Sequence, residues 1–191
     1  MREAIKKRKT KETDIVLELS LERKFTEIET GIGFFDHMLT AFSVHGGFGL
    51  KLKVQGDLEV DGHHTVEDVG IVLGQAFAEV LGDKGAIKRY GNASIPMDES
   101  LAVCVLDVSG RPFLRFDCVF IEEMVGQFNV CLVQEFFRAF VFNAGITMHI
   151  KGEGENAHHK IEAVFKAAAY ALKEAVQAQD KGVLSTKGSL A

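Results

Sequence analysis

The residues best suited to chemistry in this 191-residue chain are two adjacent-histidine pairs, each with a glutamate three positions beyond its second member. They are His63-His64 with Glu67 and His158-His159 with Glu162, and the differences 158 − 63, 159 − 64 and 162 − 67 all equal 95. A pattern returning at a fixed offset marks an internal repeat. On a helix the first histidine and the glutamate stand at i and i+4, the second histidine and the glutamate at i and i+3. All three side chains then converge near the first turn. Adjacent positions diverge by about 100° on a helix, so one pair can serve two ions rather than chelate one. Imidazole nitrogen and carboxylate oxygen without thiolate suit Mn, Fe, Co, Ni or Zn. A lone histidine at a helix start is ordinarily a cap or a solvated side chain; it is the duplicated triplet that points to metal.

Helices must position these groups. Val66, Val69, Val72, Leu73, Ala76, Phe77 and Val80 follow the first pair at helical spacing, and Ile161, Val164, Phe165, Ala168, Ala169 and Leu172 follow the second. The first of these helices runs to about Leu81 and the second to about Gln177. Another helix is predicted over Phe34–His45, stopping at Gly46-Gly47, with a counterpart over Val130–Asn143. Aligning Phe35–Phe42 with Val133–Phe140 sets Glu135 opposite His37, at an offset of 98 (135 − 37), so an intervening loop differs by three residues. A cation is disfavoured at a helix start, which makes His37 better placed as a neutral ligand, whereas the dipole explains His45 at a helix end. Glu135 becomes a candidate ligand by symmetry and ranks above His149, which alternates with apolar Met148 and Ile150 on a strand. Strands are predicted over Asp14–Leu21, Gly49–Gln55, Ser94–Pro96, Leu101–Ser109, Phe113–Ile121 and Ile146–Lys151, with the basic Met1–Lys9 run as a solvated first strand or arm. The expected organisation is α+β: two similar β/α halves over 1–85 and 86–180, followed by a tail over 181–191.

Bulk properties narrow the classes. An apolar content of 47% supports a packed core, and a formal charge of −5 argues against a nucleic-acid binder. No window is apolar enough to span a membrane, and the N-terminus lacks the apolar run of a signal peptide. Cys104, Cys118 and Cys131 read as reduced core residues, and a cytoplasmic location is expected.

Several motifs in order carry a resemblance: Gly33-Phe34-Phe35-Asp36-His37-Met38-Leu39, the two histidine motifs, Ser109-Gly110-Arg111-Pro112 and Ser185-Thr186-Lys187-Gly188. Together they resemble the imidazoleglycerol-phosphate dehydratase family over nearly the whole chain. The resemblance implies duplicated half-domains, each a four-stranded sheet backed by helices in a ribosomal protein S5 domain 2-like arrangement, and assembly into 24 subunits with active sites where subunits meet. It implies two Mn(2+) ions per site, held by His37, His63, His64, Glu67, His158, His159 and Glu162, with Glu135 at a position where many members carry histidine. Ala41 departs from the glutamine that similar enzymes often place near the substrate.

The same resemblance implies a substrate consisting of an imidazole with a hydroxylated phosphate chain, held as a dimetal-bound imidazolate while water is eliminated. The product would be imidazole-acetol phosphate, on the route to histidine. Glu12 matches the family's acid/base position, with Glu67 and Glu162 as further candidate proton carriers. Arg89, Arg111, Ser185 and Lys187 match phosphate-binding positions, a role suited to guanidinium forks and to hydroxyl and ammonium donors. Lys166 and His45 are expected near the substrate. The paired His/Glu motifs alone also permit a dinuclear metallohydrolase or a metal-glued assembly protein. The Arg89, Arg111 and Lys187 cluster speaks against mere assembly.

Overall fold

In the stretch Asp14–Leu21 the alternating pattern turns Ile15, Leu17 and Leu19 to one face, where they are fully buried, while Val16 between them is exposed. The computed structural model that shows this describes residues 2–179, 182, 185 and 186. Its first elements are β1 (Glu3–Lys9), β2 (Thr13–Ser20), β3 (Thr26–Glu29), α1 (Gly33–Gly46), β4 (Gly49–Gly56) and α2 (His63–Leu81). They are followed by β5 (Tyr90–Met97), β6 (Ser100–Asp107), β7 (Phe113–Cys118), the short pair β8 (Met124–Val125) and β9 (Phe128–Asn129), α3 (Leu132–Ala144), β10 (Thr147–Glu153) and α4 (Ala157–Ala175).

Two four-stranded sheets result, in the orders β1-β2-β4-β3 and β5-β6-β10-β7. In each, the first three strands pair antiparallel and the last lies parallel to its neighbour. A parallel neighbour needs a crossover, which α1 supplies in one sheet and α3 in the other. The helices α1 and α3 both end in a left-handed glycine, Gly47 with φ 71° and Gly145 with φ 67°. These C-caps are 98 residues apart (145 − 47), the offset that sets Glu135 opposite His37. The α+β class and the two helix-backed sheets are therefore as expected.

The helices pair across the repeat: α1 packs on α4 and α2 on α3, while α2 lies on β2 and α4 on β5 and β6. Phe42, Phe77, Phe136, Phe140 and Phe165 fill the space between, all essentially buried, with Phe77 and Phe140 edge-to-face at 5.4 Å. Gly70 makes the α2–α3 contact close, since a Cβ there would stand 2.7 Å from the Phe136 carbonyl oxygen.

Several local expectations need correcting. Strand β3 and the β8–β9 ladder fall where no strand was expected, β7 ends at Cys118 rather than Ile121, and α4 ends at Ala175 rather than Gln177. Cys104 is buried but Cys131 is exposed at the start of α3, so the three cysteines do not share the core.

Candidate metal centre and substrate cradle

Packing of α1 on α4 brings His37 to the first turn of α4. His37 Nε2 lies 3.3 Å from Glu162 Oε2, and His158 Nε2 lies 3.4 Å from the same oxygen. The ligand atoms of these three residues all fall within 4.8 Å of one another, and among the described residues no other trio of His, Cys, Asp or Glu does so. Phe34 walls the cluster, its ring edge-on to His158 at 5.1 Å. The second Glu162 oxygen accepts from Lys166 Nζ at 2.7 Å. Burial works to raise the Glu162 pKa, but Lys166 and His37 outweigh it and hold the carboxyl below its ordinary value. An ionised carboxylate flanked by two imidazoles and no thiolate fits a divalent ion of the manganese-to-zinc series.

The other histidine candidates stand outside this trio. His63 Nε2 is 3.8 Å from Glu67 Oε2 one turn along α2, and it borders a cavity of about 530 Å³ with Asp61, Met124 and Phe128. His64 Nδ1 meets both oxygens of Asp57, at 3.0 and 3.2 Å, while its Nε2 faces Glu12 Oε1 at 3.8 Å. The Asp57 hydrogen bond raises the His64 pKa. His159 Nδ1 meets Glu99 Oε2 at 2.9 Å, and its Nε2 lies 3.6 Å from Asp98 Oδ2. That bond raises the His159 pKa and holds the Glu99 carboxyl far below its ordinary value. The α4 start is fixed by Asn156, whose side chain accepts from the His159 backbone N–H at 3.1 Å.

Glu135 occupies the first turn of α3, equivalent to His37, but pairs with Arg138 and does not close a three-ligand cluster with His63 and Glu67. His149 lies on the exposed face of β10 against the Phe113 ring.

The phosphate candidates converge in part. Arg89 is buried and grips Asp107 in a fork, Nε to Oδ1 at 2.7 Å and Nη2 to Oδ2 at 3.0 Å. Exposed Arg111 reaches the same carboxylate at 3.7 Å. His45 Nδ1 lies 3.5 Å from Tyr170 Oη, and burial, then the Lys166 charge, lowers its pKa. Along α4, Glu162, Lys166 and Tyr170 follow at four-residue steps and share a face, leading from the candidate metal trio toward His45. Ser185 is half-buried, and Lys187 lies outside the described residues. Sequence reasoning missed Asp57, Glu99, Asp107 and Tyr170. A signal for Glu99 existed: it follows Glu12 by 87 residues (99 − 12), each just before its half's second strand.

Comparison with known proteins identifies the family. A family model described as imidazoleglycerol-phosphate dehydratase matches residues 30–172. The chain is 58% identical to the imidazoleglycerol-phosphate dehydratase of Alkaliphilus metalliredigens, with 96% of each covered. With that of Methanosarcina mazei it shares 56% identity at the same coverage. The crystal structure of the Staphylococcus aureus dehydratase superposes with a TM-score of 0.85 at 45% identity, covering 93% of this chain and 99% of that one. The Pyrococcus furiosus enzyme, crystallised in complex with (S)-C348, also gives 0.85, at 40% identity and 97% and 100% coverage. The chain belongs to the imidazoleglycerol-phosphate dehydratase family.

Proposed function

We propose that the chain eliminates water from imidazole-glycerol phosphate to give imidazole-acetol phosphate in histidine biosynthesis, as a manganese-dependent hydro-lyase. The observation that carries this reading is the His37, His158 and Glu162 trio, built across the repeat and floored by an ionised carboxylate. The remaining ligand candidates are His63, His64, Glu67, Glu135 and His159. Two divalent ions, when bound, would supply the Lewis acidity that lowers the pKa of the imidazole N–H, and a ring that has lost that proton is the better electron donor.

The chain's own residues then handle protons and the phosphate. The bond between the ring-bearing carbon and its hydroxyl breaks, and the hydroxyl leaves with a proton as water. A proton comes off the neighbouring carbon, and the resulting enol becomes the ketone when the ring-bearing carbon is protonated. Glu12 is suited to these transfers because its carboxylate is 53% exposed and lies beside the His64 ring. Glu67 and Glu162 are ligands first and proton carriers second. Arg89 and Arg111, gathered at Asp107, offer guanidinium donors to the phosphate, with Lys166, Ser185, Lys187 and His45 completing the substrate contacts.

Ligand candidates that stay apart within one chain support a site completed by other copies, and the number of copies, twenty-four, is what membership of the family implies. Purified protein loaded with manganese is expected to convert imidazole-glycerol phosphate to the acetol product, and light scattering to give twenty-four times the chain mass. Full metal loading without turnover would end this reading.

A further inference from the structure

We propose that Glu99 is a positioning residue for His159: it fixes the imidazole with its hydrogen on Nδ1 and so presents Nε2 to the metal. The proposal rests on His159 being a ligand, as in the function proposed above.

Glu99 is the repeat partner of Glu12. Strands β2 and β6 begin at Thr13 and Ser100, and β3 and β7 at Thr26 and Phe113, an offset of 87 in both cases (100 − 13, 113 − 26). Glu12 and Glu99 thus immediately precede the second strand of their halves, and each faces the second histidine of its pair. They face different nitrogens. Glu12 stands 3.8 Å from Nε2 of His64, whereas Glu99 hydrogen-bonds Nδ1 of His159 at 2.9 Å.

The cause is a loop length. Strands β4 and β10 start 98 residues apart (147 − 49), but the two histidine pairs are 95 apart (158 − 63), so the strand-to-helix loop of the first half is three residues longer. Asp57 sits in that longer loop and takes Nδ1 of His64, leaving Glu12 on the Nε2 side and exposed. In the second half Glu99 makes the Nδ1 contact itself. A carboxylate only accepts, so the histidine nitrogen hydrogen-bonded to it carries the hydrogen, and in the neutral ring the other nitrogen, which for His159 lies 3.6 Å from Asp98 and outside hydrogen-bond reach, keeps its lone pair. One ancestral position has thereby divided into an orienting carboxylate at Glu99 and a proton-exchanging one at Glu12.

Glu99→Gln separates this role from a structural one. Glu99 Oε1 accepts from the backbone N–H of Asn156 at 2.9 Å and of Glu155 at 3.2 Å, and from Ser100 Oγ at 2.8 Å. These donors require an oxygen there, so a glutamine keeps the loop and turns its NH2 toward His159. That amide donates to Nδ1, forces the hydrogen onto Nε2 and blocks ligation. Among the described residues both oxygens of Asp57 hydrogen-bond the His64 ring alone, so an asparagine there can still turn its oxygen to Nδ1.

The test is manganese affinity by chelator competition, with metal analysis and thermal melting, on the assembled protein. Glu99→Gln is expected to weaken the ion bound through His159 about 10- to 100-fold with melting near wild type, and Asp57→Asn to change affinity only a few-fold. His159→Ala marks full loss of that ligand. If His159→Ala loses metal and Glu99→Gln binds as wild type does, the positioning role is wrong. If His159→Ala itself keeps both ions, the ligand assignment beneath it is wrong. Should Glu99→Gln fail to fold, a metal-loaded crystal structure of the wild type decides: the ion on Nε2 with Nδ1 on Glu99 supports the role, and the ion on Nδ1 or on Glu99 overturns it.

Discussion

His37 and Glu162 are 125 residues apart in sequence and meet at 3.3 Å, because α1 of the first half packs on α4 of the second. The trio is therefore a product of helix-layer packing, which adds His37 of α1 to two members of the second motif. Glu162 holds both imidazoles within reach of one oxygen, so it is the member whose loss costs most. Glu162→Gln preserves shape and removes the charge. It is expected to lower manganese affinity at least tenfold, in the range seen when a ligand or its support is lost, while circular dichroism stays that of the native protein. Metal analysis after dialysis gives the answer, and wild-type stoichiometry in the variant would remove Glu162 from the ligand set.

Packing at the other helix pair should matter in a different way. A Cβ at Gly70 would meet the Phe136 carbonyl oxygen at 2.7 Å and the Ala139 Cβ at 2.9 Å. Neither can yield without moving a helix, and overpacking of this kind costs about 1–3 kcal/mol. Gly70→Ala should therefore lower the melting temperature although alanine is the better helix former. An unchanged or higher melting temperature would mean that α2 and α3 can separate freely.

Arg89 and Arg111 share Asp107 but differ in burial. Arg89→Ala leaves a largely buried carboxylate without its fork and should cost about 3 kcal/mol of stability. Arg111 is 60% exposed and 3.7 Å from Asp107, so Arg111→Ala should leave melting within a degree or two. It should instead raise KM for the phosphorylated substrate about tenfold and weaken competition by inorganic phosphate. A KM effect from neither variant would detach this cluster from phosphate binding.

Much of this layout was legible in sequence because burial is periodic. Alternation exposed β2 and β4, and the helical spacing of Val66 through Val80 and of Phe136 through Phe140 exposed the helices. Strand β3 was invisible because Thr26, Glu27 and Glu29 are exposed at a sheet edge, leaving no apolar alternation to read. The candidate ligand triplets were visible because they lie on single helices. Glu99 was not, since its partner histidine is 60 residues away and the two halves keep different offsets in different segments: 87 in the early strands, 98 through α1 and α3, 95 at the histidine pairs. A search at one offset finds one layer of the duplication only.

Acid should act on the β5–α4 junction. Lys88 and the Asn92 backbone N–H both donate to Glu174, and they hold its carboxyl below the ordinary value. A group with a lowered folded pKa contributes stability that is complete above the unfolded pKa, about 4.3, and is lost as pH falls through the folded value. Glu174→Gln is therefore expected to reduce stability at pH 7 modestly, with the difference from wild type shrinking below pH 4. A difference constant from pH 7 to pH 3, followed by chemical denaturation, would show that the charge of Glu174 contributes nothing.

Glu12 gives the sharpest separation of chemistry from architecture. Its backbone carbonyl accepts from the Asp57 N–H at 3.0 Å, so the main chain fixes the turn and the side chain is left to stand near His64. Glu12→Gln keeps that turn and removes only the proton-accepting charge. Turnover should fall by at least 10²-fold, the ordinary contribution of a general base, while metal content, melting temperature and assembly mass stay at wild-type values. Glu99→Gln should show the reverse priority, losing metal first and activity as its consequence. If Glu12→Gln also lost metal, Glu12 would be acting on the His64 ring as Glu99 acts on that of His159, and the division of labour between the two carboxylates would not exist.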